Sequence, residues 1–137
     1  MTVENMDNRP GWNSFYLAGV SWVAMRADCR RRKVGAILVD AGHKVLGIGY
    51  NGTDPGRPGC LEGACPRGLL SYRDVPANSD YGNCIARHAE ENAIRNVPGG
   101  IRPGDPRLAG STMYITDAPC PDCQVLLKEY GIRLIVY

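Results

Sequence analysis

The order of hydrophobic patterns along the chain predicts an α/β fold, a mixed sheet of at least four strands with helices packed on it in layers. Runs of helical period and short continuous apolar runs follow one another as α, β, β, α, β, α, β. Two of the helical runs connect strands, and such crossovers imply a sheet that is at least partly parallel. A length of 137 residues, 44% of them apolar and 22% charged, supplies one hydrophobic core but not two.

The elements follow in order. Residues 1–12 read as a polar, weakly ordered lead-in ending at Pro10-Gly11. From Asn13, an expected N-cap, apolar side chains recur at Tyr16, Val20, Val23 and Ala27, so the first helix is expected to end near Asp28. Val34 to Val39 reads as a buried strand and Lys44 to Tyr50 as a second, with Asp40-Ala41-Gly42-His43 as the hairpin turn. Residues 51–83 carry Pro55, Pro58, Pro66 and Pro76, many glycines and no sustained period. A connection of that length in a compact domain usually carries function or an extra anchor. A helix is expected from Cys84, with Ile85, Ala89 and Ala93 on one face and Pro98-Gly99-Gly100 as its stop. Ser111 to Thr116 is the third strand. A helix from about Pro119 to Tyr130 follows, with Gly131 as its C-cap, and Ile132 to Tyr137 is the fourth strand. The whole chain reads as a single domain.

Composition narrows the function classes. No apolar run approaches the ~20 residues that span a membrane, and the N-terminus lacks a signal-peptide core. A cytoplasmic protein is therefore expected, and in that reducing compartment six cysteines favour metal binding or free thiols over disulfides. The net charge is +2. The tightest basic run, Arg30-Arg31-Arg32-Lys33, reads as a solvated strand entry and is also compatible with an anionic substrate. The weak basic balance and the lack of aromatic platforms argue against nucleic acid as a partner.

The residues that carry chemistry are His88-Ala89-Glu90 and Pro119-Cys120-Pro121-Asp122-Cys123. One histidine and two cysteines hold a zinc ion through three bonds and leave a fourth position open, the layout of a catalytic site. A glutamate two residues from the histidine is placed to move protons. Cys120 and Cys123 share a helix face, and a helix N-terminus favours their thiolate forms. A Cys-x-x-Cys alone would equally serve as a redox pair, and a lone histidine would more often be an interior one. The joint pattern, in this order and on these elements, favours zinc.

On these motifs the chain resembles the zinc-dependent cytidine deaminase superfamily, and within it the deoxycytidylate (dCMP) deaminase branch. The resemblance runs from about Trp12 to Tyr137. Beyond the zinc motif it rests on Val34-Gly35-Ala36, on Gly49-Tyr50-Asn51-Gly52 and on His88-Ala89-Glu90-Glu91-Asn92-Ala93-Ile94. Tyr114 to Cys120 and the terminal Gly131 to Tyr137 also match. It implies a three-layer α/β/α cytidine deaminase-like fold and hydrolytic deamination, dCMP going to dUMP and ammonia in pyrimidine deoxynucleotide metabolism. It implies a water activated by zinc for attack at C4 of cytosine. Glu90 is implied to take the water proton, protonate N3 and later deliver a proton to the departing ammonia. No nicotinamide, flavin or nucleotide cofactor is required.

For substrate contacts the resemblance adds Asn51, on a sugar hydroxyl or phosphate edge, and Ala89. Asn51 reads equally as a turn residue, since Asn-Gly is a strong turn dipeptide. Arg26, near the end of the first helix, suits a nucleotide phosphate and is equally readable as a surface arginine. The remaining cysteines, Cys29, Cys60, Cys65 and Cys84, suffice for a second, structural zinc that would order the long loop. Some relatives carry such a zinc on cysteines matching Cys29 and Cys60, and the alternative is a set of reduced buried thiols. The chain ends directly after the fourth strand, where family members continue. Either it is a minimal version of the fold or a partner subunit covers the edge, and a homo-oligomer is the expectation; hexamers occur in this branch. Two other readings stand beside dCMP deamination. One is a zinc deaminase of a free base, nucleoside, modified cytidylate or RNA base; the other is a zinc-stabilised binding module without catalysis.

Overall fold

The computed structural model describes residues 8–29, 32–53, 58, 59, 61 and 87–137. Four strands form one sheet in the order β2-β1-β3-β4: β1 is Gly35–Val39, β2 Val45–Tyr50, β3 Thr112–Ile115 and β4 Leu134–Val136. Strand β1 runs antiparallel to both β2 and β3, and β3 runs parallel to β4. Three strands therefore share one direction, as the two helical crossovers require. The helices are α1 (Trp12–Ala24), α2 (Ala89–Arg95) and α3 (Pro121–Tyr130), and a short 3-10 turn spans Pro106–Leu108.

The sheet separates two apolar cores, which gives the expected three layers. Side chains alternate across a strand, so Ile37 and Val39 of β1 meet Tyr16, Val20 and Val23 of α1. Ala36 and Leu38 face the other way, onto Ala89, Ala93 and Ile94 of α2 and Leu127 of α3. Every residue of β1 is buried, as a central strand with both faces covered demands. Gly47 and Gly49 bring α2 down onto β2: a Cβ on Gly47 would lie 2.2 Å from the Ala93 carbonyl oxygen. On the other face, a Cβ on Gly35 would lie 2.3 Å from the Val20 carbonyl oxygen of α1.

The first helix is capped by Gly11, not by Asn13, and stops at Ala24 rather than near Asp28. Asn13 is used elsewhere, since its side-chain oxygen accepts the Tyr114 hydroxyl at 2.8 Å. After Ala24 the chain turns, and the Asp28 amide donates to the Asn51 carbonyl at 2.9 Å, tying the helix exit to the end of β2. The expected early start of α2 is also corrected where it can be seen. Arg87 and Gly52 exchange two backbone hydrogen bonds, of 2.9 and 3.0 Å, and hold residue 87 extended. His88 is consequently the N-cap, with φ −69° and ψ 153°, and the helix opens at Ala89. A bridge to a distant segment wins over the apolar period. Residues 84–86 and most of 51–83 lie outside the described residues.

Two other ends are as the sequence predicts. Asp40 closes the β1–β2 turn by accepting from the Gly42 and Lys44 amides, both at 2.9 Å. Gly131 closes α3 in the left-handed region with φ 85°, as expected, whereas the helix opens at Pro121, two residues after the expected Pro119, with Cys120 as its N-cap. On the outer edge of β2, Asn92 of α2 and Asn96 at its C-cap donate their side-chain amides to the Tyr50 and Ile48 carbonyls, at 2.8 and 3.0 Å. No helix among the described residues is long and apolar enough to cross a membrane.

Candidate metal centre

The carboxyl ends of β2 and β3 point toward one end of the sheet, and the N-termini of α2 and α3 open there. A crevice beyond the carboxyl ends of such strands is the usual ligand position in an open α/β sheet. His88 sits at the cap of α2. Cys120 caps α3, and Cys123 lies in its first turn. His88 Nδ1 is 3.1 Å from Cys123 Sγ and 3.4 Å from Cys120 Sγ, across 35 and 32 residues of sequence. One ligand atom from each residue lies within 4.8 Å of the others.

The donor set fits zinc. Tetrahedral bonds of the usual Zn–S and Zn–N lengths place neighbouring donor atoms about 3.5–3.8 Å apart, and the observed nitrogen–sulfur distances are slightly tighter. The local charge also calls for a cation. Burial pushes the Cys123 thiol well above the usual range, and the Glu90 carboxylate and Cys120 beside it push it further. Glu90 itself is 4% exposed. A divalent ion inverts this balance by stabilising thiolate and carboxylate together.

Glu90 and His88 line a cleft shared with Ala89, Asn51 and Cys120. Ala89 is fully buried in its wall. Asn51 has its amide committed to the backbone: Oδ1 accepts from the Val34 amide at 2.9 Å, and Nδ2 donates to the Arg32 carbonyl at 2.7 Å. A substrate hydroxyl would have to use the second lone pair or the second amide hydrogen. Arg26 is exposed and is not among the residues lining the cleft.

Two charged residues outside the predicted site set also line it: Arg32 and Asp117, whose Nε and Oδ2 are 3.5 Å apart. Their signal was present in part, since Arg32 belongs to the basic run before β1 and Asp117 precedes Pro119-Cys120. Only the pairing of β1 with β3 brings them together.

Of the second cysteine set, Cys29 is buried, and its sulfur accepts from the Arg32 amide at 3.4 Å. Cys60, Cys65 and Cys84 lie outside the described residues. Gly59 and Leu61, on either side of Cys60 in sequence, sit against Asp28, the residue before Cys29. The Leu61 amide donates to Asp28 Oδ1 at 2.7 Å, and a Cβ on Gly59 would meet the Asp28 carboxylate.

Comparison with known proteins agrees with this geometry. The family model for the cytidine and deoxycytidylate deaminase zinc-binding region matches residues 10–137. A deoxycytidylate deaminase of Mycobacterium phage D29 is 39% identical over 134 residues, covering 95% of this chain and 96% of the relative. One from Schizosaccharomyces pombe is 35% identical over 130 residues and covers 94% of this chain, which spans only 37% of that longer relative. The crystal structure of a dCMP deaminase from the cyanophage S-TIM5, in complex with dCMP and dUMP, aligns with a TM-score of 0.66. Its identity is 26%, over 93% of this chain and 81% of that one.

Proposed function

The chain belongs to the cytidine and deoxycytidylate deaminase zinc-binding family, and from that premise we propose that it converts dCMP to dUMP and ammonia. It is a zinc-dependent deaminase, a hydrolase. The observation that carries the reading is the convergence of His88, Cys120 and Cys123 on one point, with buried Glu90 in the same cleft. The substrate itself is supported by the phage D29 relative, which matches over nearly its whole length and is a deoxycytidylate deaminase.

His88, Cys120 and Cys123 would hold the zinc. When bound, the zinc supplies a Lewis acid that makes a water nucleophilic near neutral pH. Glu90, beside Cys123 and closed off from bulk solvent, takes a proton from that water and passes it to N3 of the cytosine ring. It then carries a proton to the amino group that departs from C4. Ala89 forms the wall beside it. Asn51 fixes the backbone at Arg32 and Val34 and leaves one lone pair and one amide hydrogen for a sugar hydroxyl.

The test is ammonia release from cytosine, cytidine, deoxycytidine, CMP and dCMP by the zinc-loaded protein. Preference for dCMP is expected; preference for an unphosphorylated substrate would overturn the reading.

A second, structural zinc on Cys29, Cys60, Cys65 and Cys84 is part of the proposal. Its support is the attachment of Gly59 and Leu61 beside Cys29. Two zinc equivalents per chain are expected, falling to one in Cys29→Ser; one equivalent in the wild type would remove it. We also place the protein in the cytoplasm, where its thiols stay reduced, and as a homo-oligomer. Exposed Trp22, Met25 and Leu134 support association, and sedimentation at micromolar concentration decides it.

A further inference from the structure

Between Arg9 and Arg26 the chain carries no charged side chain, and this stretch contains the whole of α1. One side of α1 is spent on the sheet, where Tyr16, Val20 and Val23 are buried. The opposite side is apolar too: Trp12 is 50% exposed, Phe15 51%, Trp22 68% and Met25 73%. Trp22 and Met25 are the most exposed large apolar side chains among the described residues. A helix that is apolar all round belongs inside a larger structure rather than at a surface.

The exposed face has a symmetry of its own. At about 3.6 residues per turn, Trp12, Phe15, Ala18, Gly19, Trp22 and Met25 lie on one side of the helix. The large side chains stand toward its two ends, and the two small ones at its middle. A second α1 laid antiparallel across that middle sets Phe15 against the partner's Trp22 and Trp12 against the partner's Met25. Both contacts are then made twice, the reciprocity that a two-fold axis demands. Aromatic on aromatic and thioether on aromatic are favourable pairs, and the small middle lets the two backbones approach.

The N-terminal end of this face is already rigid. Trp12 stacks on His43 of the β1–β2 turn, with ring centroids 4.4 Å and planes 5° apart, and Phe15 stands edge-on to Trp12 at 6.2 Å. Aromatic rings fixed in advance lose little freedom on docking. The four large side chains offer roughly 500 Å² per copy, so a pair buries on the order of 1,000 Å², where specific interfaces begin.

We propose that this face of α1 binds the same face of a second copy of the chain, antiparallel about a two-fold axis that passes between Ala18 and Gly19. The inference rests on the reading of the protein as a homo-oligomer and names the surface and the pairing that build it. None of the four large residues lines the catalytic cleft, so the contact leaves it open.

The test follows self-association of the zinc-loaded protein by sedimentation equilibrium over a concentration series. Zinc content and circular dichroism show that each variant folds. Wild type is expected to assemble with an even number of copies. Trp22→Glu is expected to weaken association about thirtyfold or more, the usual loss of a central aromatic anchor. Val125→Lys, at an exposed position of α3, is expected to leave it unchanged. Two double variants read the pairing: Phe15→Lys with Trp22→Glu opposes unlike charges, and Phe15→Lys with Trp22→Lys opposes like ones. The first is expected to associate roughly tenfold more tightly than the second at low salt. Equal association of the two doubles overturns the proposal, as does an odd number of copies in wild type. Full association of Trp22→Glu, or dissociation by Val125→Lys in its place, puts the interface elsewhere and overturns it too. A wild type that stays monomeric overturns it together with the homo-oligomer reading, whereas the variant results remove this face alone.

Discussion

Gly49 of β2 lies directly beneath Ala93 of α2: a Cβ at Gly49 would stand 2.2 Å from the Ala93 amide nitrogen and 2.5 Å from the Ala89 carbonyl oxygen. Those neighbours are backbone, so they cannot swing aside. The helix held at this distance is the one that begins with His88 at its cap and carries Glu90 in its first turn.

Gly49→Ala is therefore expected to act on stability and chemistry together. Overpacking of a tight contact costs about 1–3 kcal/mol, and α2 must lift from the sheet to relieve it. Thermal unfolding should show the loss, and zinc content and turnover should fall with it. A variant that melts early but keeps full zinc and full activity would show that α2 adjusts without moving its first turn.

Glu90→Gln keeps the shape of the side chain and removes the proton transfer proposed for it. Zinc content should stay at the wild-type level while turnover falls about 10²- to 10⁴-fold, the usual worth of a positioned acid–base group. Near-normal turnover would take Glu90 out of the mechanism.

Removing a ligand or the metal should destabilise the fold as well as stop the reaction. His88 and Cys123 come from segments 35 residues apart, and a metal that binds only the folded chain adds its binding energy to stability. With free zinc at roughly a thousandfold its Kd that contribution is about 4 kcal/mol. Chelation and Cys123→Ser are both expected to lower the melting temperature, with recovery on zinc addition only in the chelated wild type. Unchanged melting after complete chelation would contradict this.

The α1 face carries an alkaline limit. Burial, and then the Asp40 charge, raise the Tyr16 hydroxyl above its ordinary value; burial, and then Tyr16, raise Tyr114. Raised values in the folded state favour the neutral hydroxyl. The stability they confer is fully present below about pH 10, the unfolded tyrosine value, and is lost as pH rises through the folded values. Each hydroxyl is also a donor, Tyr16 to the His43 carbonyl at 2.6 Å and Tyr114 to Asn13 Oδ1 at 2.8 Å. The melting temperature is expected to fall above about pH 10. Tyr16→Phe and Tyr114→Phe should lose about 1 kcal/mol each near neutrality and show a shallower alkaline decline. Parallel declines in wild type and variants would exclude these tyrosines as the cause.

Much of this architecture is legible in the residues alone. The β1–β2 turn and the Gly131 stop of α3 are written in residue types whose backbone preferences are strong. The convergence of His88, Cys120 and Cys123 is legible because zinc chemistry needs those side chains in that arrangement. What local pattern cannot supply is anything decided by a partner far along the chain. His88 leaves the helix because Gly52 captures Arg87. Asn13 gives up its capping role because Tyr114 takes its oxygen. Arg32 and Asp117 meet because Gly35 and Thr116 pair across 81 residues.

The two asparagines in and at the end of α2 have a consequence for what this sheet can join. A strand at the edge of a sheet offers its free carbonyls as a template, the route by which extended peptides add on and misfolded chains stack into fibrils. On β2 the Ile48 and Tyr50 carbonyls are already taken by Asn96 and Asn92. An extended chain adding on here would have to displace both side-chain amides, so the helix that frames the cleft also guards two acceptors of this margin.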